Sequence, residues 1–150
     1  MVQRFDLAIV GGSFAGLACA RSAALRGLKV AVLDAKPDPG LRVRTTGILV
    51  KEASDAFDLP AGLMRKVPGV RLYAPDNRSI DLSAPGYFFQ ATDMPALMHW
   101  MAEEAARAGA TLMYGKKFEG GLEYERGVAM GDLHAALCEV AEHARGAATA

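Results

Sequence analysis

The chain has 150 residues, of which 51% are hydrophobic and 23% charged, and its 17 acidic and 17 basic side chains cancel to a formal net charge of zero. That is one domain's worth of chain with enough apolar residues for a sizeable core, and no basic cluster stands out, which argues against nucleic acid or an anionic membrane surface as a partner. Cys19 and Cys138 lie far apart, with neither CxxC nor metal-ligand spacing, so a reducing, cytoplasmic setting is expected.

Residues 7–20 carry no charge and have the apolar character of a signal-peptide core. The double glycine in their middle and the strand-like run that follows argue instead for folded structure. No apolar run reaches the length needed to cross a bilayer.

The first informative segment is residues 5–34. An apolar strand over residues 5–10 runs into Gly11-Gly12-Ser13-Phe14-Ala15-Gly16. An alanine-rich helix follows, and a second strand over residues 28–33 ends in Asp34. Strand, glycine turn, helix, strand and acid, in that order, are what a dinucleotide-binding βαβ unit requires. Gly11 lets the chain turn sharply out of the strand, and Gly16 lets helix and sheet approach closely. Ser13 stands where glycine is usual, narrowing the approach to a pyrophosphate slightly while adding a hydroxyl donor. The helix N-terminus offers free N–H groups and a positive dipole end to phosphates. Asp34 is placed to accept both hydroxyls of an adenosine ribose, and its charge repels a 2′-phosphate, so FAD or NAD is favoured over NADP. The competing possibility is a tight βα turn that binds nothing.

Beyond Asp34, residues 36–40 (Lys-Pro-Asp-Pro-Gly) must be a loop, and residues 41–47 follow with Arg42 and Arg44. Residues 48–57 read as a short helix stopped near Pro60. Residues 70–73 and 79–82 alternate apolar and polar around a Pro-Asp-Asn turn, the pattern of a β-hairpin. Residues 87–91 read as a further strand. A helix over residues 93–108 places Met94, Leu97, Met98, Met101, Ala102 and Ala105 on one face as core, with Glu103 and Arg107 paired opposite. Thr92 or Asp93 caps its start and Gly109 ends it, and residues 110–114 return as a strand. In the tail, residues 131–145 have helical spacing, with Asp132 as cap and Leu133, Leu137, Val140 and Ala144 on one face. His134, Cys138 and Glu142 would follow one another on that helix, but with no converging ligand elsewhere they read as solvated face and not as a metal site.

The segments DLAIVGGSFAGLACARSAALRGLKVAVLDAK and FFQATDMPALMHWMAEEAARAGATL, with an arginine-bearing loop between them, resemble the start of an FAD-dependent oxidoreductase. The similarity is to the geranylgeranyl-reductase-like and aromatic-hydroxylase-like flavoproteins, and it covers roughly residues 5–118. It implies an α/β fold: a Rossmann-like FAD-binding domain with a parallel sheet and an inserted β-hairpin, truncated relative to the family. It implies that Gly11, Gly12, Ser13, Phe14, Ala15 and Gly16 cradle the FAD pyrophosphate, and that Asp34, with the adjoining Ala35, binds the adenosine ribose. It further implies that Arg42 or Arg44 touches the flavin or its phosphates, as a guanidinium can do in a bidentate way. Thr46-Gly47 occupies the place where many of the reductases have Cys-Gly near the isoalloxazine.

The chain departs from that pattern in two places. The helix opening near Asp93 often carries an arginine in the family, and Met94 stands here. The family also needs a further strand ending in a Gly-Ala-Asp-Gly-like turn, and later a second Gly-Asp turn. Gly131-Asp132, read as opening a helix, supplies neither, so the expected division is a flavin-binding region over residues 1–120 and a tail over 121–150 that does not correspond to the family's structure.

The resulting expectation is a flavoprotein oxidoreductase, monooxygenase or reductase, acting on a small organic substrate with NAD(P)H as reductant. No catalytic acid or base is evident, since His99, His134 and His143 fall on expected helices without partners. A non-catalytic dinucleotide-binding module, self-associating through exposed sheet surface, is one alternative; an NAD-binding Rossmann domain is another. The arginine loop and the hairpin ahead of the long helix favour FAD over NAD.

Overall fold

The computed structural model describes residues 3–120 and the backbone of residues 122–124, 127–130 and 133–138. In chain order the elements are β1 (Gln3–Val10), α1 (Phe14–Ala24), β2 (Val30–Asp34), β3 (Ile48–Leu49), α2 (Lys51–Ala56), β4 (Met64–Val67), β5 (Gly69–Tyr73) and β6 (Ser79–Ser83). They continue as β7 (Phe89–Thr92), α3 (Met94–Arg107), β8 (Thr111–Tyr114), β9 (Leu122–Tyr124), β10 (Gly127–Met130) and β11 (Leu133–Cys138). Two compact units result, one from the chain up to Leu41 together with Met98 onward, the other from Arg42–Leu97.

The first unit is a six-stranded sheet in the order β8-β2-β1-β11-β10-β9. β8, β2, β1 and β11 run parallel, while β10 and β9 are antiparallel additions at the far edge. Interior parallel strands are covered on both faces and therefore read as continuous apolar runs. β2 fits that rule, with Val30, Ala31, Val32 and Leu33 all buried. From α1 the sheet unit buries Leu17, Ala20, Ala23 and Ala24, and from α3 it buries Met98, Met101, Ala102 and Ala105. Small residues dominate the α1 face because the helix comes off a tight turn and must lie close to the strands. Each large side chain such as Leu17 or Met98 contributes about 1.5–3 kcal/mol on being taken out of water.

α3 keeps the expected stripe, with Met94 only half-buried, Trp100 at the edge and His99 exposed. Asp93, not Thr92, caps it: the Asp93 carboxylate accepts from Ala96 N–H at 3.1 Å. Arg107 pairs with Glu103 at 2.9 Å and also with Glu104. Gly109, at φ +106°, ends the helix, a conformation that a side chain would strain.

The second unit holds a three-stranded antiparallel sheet, β3-β7-β4, and the β5–β6 hairpin. The hairpin follows the expected boundaries, with Val70 opposite Leu82, Leu72 opposite Ile80, and Arg71 opposite Asp81. The helix expected over residues 48–57 is shorter. Ile48 and Leu49 pair with Ala91 and Gln90 of β7, and α2 starts only at Lys51. Apolar Ile48 and Leu49 gain more as a strand than as a helical turn, whereas Lys51-Glu52-Ala53 are good helix formers. β4 was not foreseen from the sequence.

The tail departs most from expectation. Leu133–Cys138, expected within a helix, is β11, parallel to β1 with Leu7 opposite Ala136 and Ile9 opposite Cys138. Of the elements ahead of the tail only β2 pairs with β1, so the other edge of β1 presents N–H and C=O groups that must find partners, and a strand supplies them where a helix cannot. Met130 lies opposite Leu133, with two residues between β10 and β11. The proposed helical alignment of His134 with Cys138 is therefore lost. The rest of the expected tail helix, with Gly131, Asp132, Val140, Glu142, His143 and Ala144, lies outside the described residues.

Proline at Leu137, which lies opposite Ala8 of β1, tests this arrangement, because its ring and missing N–H disrupt a paired strand. Leu137→Pro is expected to lower the melting temperature and raise hydrogen exchange at Leu7–Ile9 in β1. Unchanged exchange there would show that β11 does not pair with β1.

Candidate dinucleotide site

Chain order reverses beside β1. The chain steps from β1 to β2 and on to β8 in one direction, then returns to the opposite flank with β11. In open α/β sheets, ligands collect at the carboxyl ends of the strands at such a reversal. The carboxyl end of β1 is Val10, and the turn that follows is Gly11 to Gly16.

Gly11 takes φ +106° and its N–H donates to Leu33 O at 2.8 Å, which fastens the turn to β2. Ser13 is the extended N-cap of α1, but its side chain makes no capping bond. The first turn holds no acidic residue either, so no negative side chain competes with an incoming anion at the positive end of the helix dipole. A Cβ on Gly16 would collide with the Gly11 carbonyl oxygen and lie 3.4 Å from Ile9 Cγ2. The turn can fold back onto the helix only because Gly16 has no side chain.

Asp34 closes the site from β2. Its Oδ2 accepts from Gly12 N–H at 2.7 Å and its Oδ1 from Lys36 N–H at 2.8 Å. Lys36 Nζ stands 3.8 Å from Oδ2, and the Asp34 side chain is only 10% exposed. A carboxylate has about four acceptor positions, so two backbone donors leave capacity for further hydroxyls. A Cβ on Gly12 would sit 3.3 Å from Asp34 Oδ2 and 3.2 Å from Tyr114 Cε1, so this glycine gives room to both.

Tyr114 was overlooked in the sequence. It stands at the last position of β8, directly opposite Asp34 in register. Its hydroxyl oxygen is buried and has no hydrogen-bond partner. Burial, with the Asp34 and Asp38 carboxylates nearby, pushes the Tyr114 hydroxyl up to about 12, so the phenol keeps its proton at physiological pH. Its signal was an aromatic with a polar tip at the same sheet edge as Gly11 and Asp34. His99, expected to lack a partner, has its Nε2 3.1 Å from Asp38 Oδ1.

The remaining expected site residues belong to the second unit. Arg42 and Arg44 are exposed, and Arg42 takes the left-handed φ of +50°. Thr46 is exposed, while Gly47 is buried at φ +67° and its carbonyl accepts from Thr92 N–H at 2.7 Å and Thr92 Oγ1 at 2.9 Å. A Cβ on Gly47 would sit 3.2 Å from Met94 Cγ, so the methionine that replaces the family's arginine packs against this glycine. Met94 sulfur lies 3.0 Å from Thr92 Oγ1 and shares that hydroxyl's single proton with the Gly47 carbonyl. Gln90 on β7 was a second omission: it is 9% exposed, and its Oε1 is buried without a partner. An amide inside the run Tyr-Phe-Phe-Gln-Ala-Thr was the available signal. The structure thus brings together Gly11, Gly12, Ser13, Phe14, Ala15, Gly16, Asp34 and Ala35 in one unit, and places Arg42, Arg44, Thr46 and Gly47 in the other.

The turn, the uncapped helix and the acid at the sheet's reversal define an α/β dinucleotide-binding protein. Residues 6–147 match the FAD dependent oxidoreductase family, and the chain belongs to that family. The match extends past residue 120 into the tail, where β11 pairs with β1.

A geranylgeranyl diphosphate reductase from Rhodobacter capsulatus is 31% identical over 114 residues, covering 75% of this chain and 28% of that protein. A digeranylgeranylglycerophospholipid reductase from Sulfolobus acidocaldarius is 32% identical over 97 residues, covering 56% of this chain and 22% of its own length. The chain therefore spans less than a third of these relatives. Among solved structures, a geranylgeranyl bacteriochlorophyll reductase-like protein from Thermoplasma acidophilum superposes with a TM-score of 0.76 at 23% identity, over 91% of this chain and 39% of its own. The halogenase PltM in complex with phloroglucinol and FAD gives 0.70 at 16% identity, over 91% of this chain and 34% of that one, and shares the fold.

The site's geometry fits a dinucleotide. Gly12 and Gly16 let the turn close against Asp34, Tyr114 and the Gly11 carbonyl where a Cβ would not fit, and the Tyr114 hydroxyl is an orphaned polar atom beside it.

Gly16→Ala is expected to destabilise the protein by about 1–3 kcal/mol or more, since its methyl meets backbone that cannot move aside; denaturant unfolding of the two proteins measures this. The raised Tyr114 value has a pH signature. Because folding disfavours the phenolate, this group leaves stability unchanged below the phenol's ordinary value near 10 and lowers it as pH rises from there through about 12. Thermal unfolding is expected to show a fall over that interval that is absent in Tyr114→Phe.

Proposed function

We propose that this chain is the FAD-binding portion of a flavin-dependent reductase acting on an isoprenoid or similar apolar organic substrate. What carries the reading is the turn of Gly12 and Gly16 against the Asp34 carboxylate, in a chain about 30% identical to two prenyl reductases. Flavin supplies the redox chemistry, accepting and donating hydride equivalents, with NAD(P)H as reductant.

The protein's part is binding and orientation. Gly11, Gly12, Ser13, Phe14, Ala15 and Gly16, with the leading N–H groups of α1, would hold the pyrophosphate. Asp34 would accept from the ribose hydroxyls, with Ala35 adjoining, and its charge would reject a 2′-phosphate. Arg42 or Arg44 would contact the flavin or its phosphates, and Thr46 and Gly47 the isoalloxazine. Met94 leaves one cationic contact of the family unmade, so affinity rests more heavily on the glycine turn.

A cytoplasmic setting, a small-molecule substrate and self-association through exposed sheet surface complete the proposal. Among the described residues no helix is long and apolar enough to cross a membrane. Exposed Leu72, Tyr73, Ile80 and Leu82 make the β5–β6 hairpin the surface most suited to self-association.

The test is titration of the purified protein with FAD, followed by absorbance and flavin fluorescence. Saturable uptake is expected, with Gly16→Ala abolishing it. NADH or NADPH should then bleach the bound flavin if the chain supports reduction. Absence of FAD uptake, with only ADP bound, would favour a non-catalytic nucleotide-binding module.

A further inference from the structure

Buried hydroxyls without partners are uncommon, and each one calls for an explanation. The Tyr114 oxygen is such a case: it sits beside a carboxylate already engaged by two backbone N–H groups, at the sheet edge where the candidate ligand would lie. Three observations place it in the same subsite as the turn. Tyr114 is opposite Asp34 in the β2–β8 register. Its Cε1 would lie 3.2 Å from a Cβ on Gly12. The side chain as a whole is only partly buried, so part of the ring reaches solvent at this edge.

We propose that Tyr114 is a ligand-binding residue of the dinucleotide site, its hydroxyl donating to the ribose–adenine end of the nucleotide beside Asp34. The inference rests on the reading that the glycine turn binds FAD. In the ligand-free protein the phenol proton has no acceptor, and the nucleotide's ribose and adenine bring acceptors to the edge where Tyr114 stands. Asp34 only accepts, whereas the phenol, held neutral by burial and nearby acids, supplies a donor. The two side chains together match a group that both donates and accepts, such as a ribose hydroxyl. Lys36, whose ammonium stands near Asp34, is the other cation-bearing donor at this edge.

A structural residue and a ligand-binding residue give opposite signatures on losing that hydroxyl. Tyr114→Phe removes a buried oxygen that nothing satisfies, so the ligand-free protein should melt at the same temperature or higher. ADP and FAD should both bind about fivefold more weakly, the loss of one hydrogen bond. Calorimetric titration of wild type and variant with each ligand, alongside ligand-free thermal melts, reads all of these quantities. ADP and FAD affinities within about twofold of wild type would overturn the proposal, as would affinity and melting temperature falling together. If wild type takes up neither ADP nor FAD, the flavin reading itself fails and takes this inference with it. If wild type binds and only the variant's behaviour departs from expectation, the failure belongs to Tyr114 alone.

Discussion

The hydrogen bond from Gly12 N–H to the Asp34 carboxylate, at 2.7 Å, is the contact on which the site depends. It joins the end of the second strand to the middle of the turn leaving the first. Neither partner could be exchanged simply. Removing the carboxylate would leave Gly12 and Lys36 N–H groups without an acceptor in a partly buried place, each costing about 1–3 kcal/mol. Adding a side chain at Gly12 would press on Asp34 and Tyr114 together. The acid thus has a structural duty before any ligand arrives, and it holds its charge at the sheet edge as a consequence.

The same economy of space governs Gly16 and the alanines behind it. Because the Gly11 carbonyl fills the place of a Gly16 Cβ, α1 starts almost on top of β1, and Ala20, Ala23 and Ala24 continue the close approach. That proximity sets the positive end of the α1 dipole beside the turn that leaves β1. Binding geometry and core packing are here one constraint: a larger residue on this face would push the helix, with the positive end of its dipole, away from that turn.

Much of this was legible in the sequence because local chemistry dictates it. A glycine that must accept φ +106°, an acid at a strand end and a uniformly apolar β2 each have few alternative readings. The amphipathic α3 and the β5–β6 hairpin likewise announce themselves through period. What failed was decided elsewhere in the chain. Leu133–Cys138 has helical spacing but lies beside β1, whose open edge outweighs a modest propensity. A pairing signal was present: Gly127–Met130 and Leu133–Cys138 flank Gly-Asp, the composition of a two-residue hairpin connection. Tyr114 and Gln90 went unread because an unpartnered buried oxygen is a property of packing, and no pattern along the chain reports it.

Met94 carries the comparison between pattern and packing one step further. Where the resemblance expects an arginine, a methionine lies against Gly47 and beside Thr92 Oγ1. A guanidinium there would have offered fixed donors to an anionic ligand, whereas a thioether offers polarizable surface and a weak acceptor. Gly47 keeps its buried, left-handed conformation, and its carbonyl keeps both bonds from Thr92. The left-handed turn at Gly47 is thus held by Thr92 and Met94 and not by a cationic side chain. Side-chain charge at this point of the second unit is therefore exchanged for packing, with Met94 filling the space beside Gly47 that no Cβ could share.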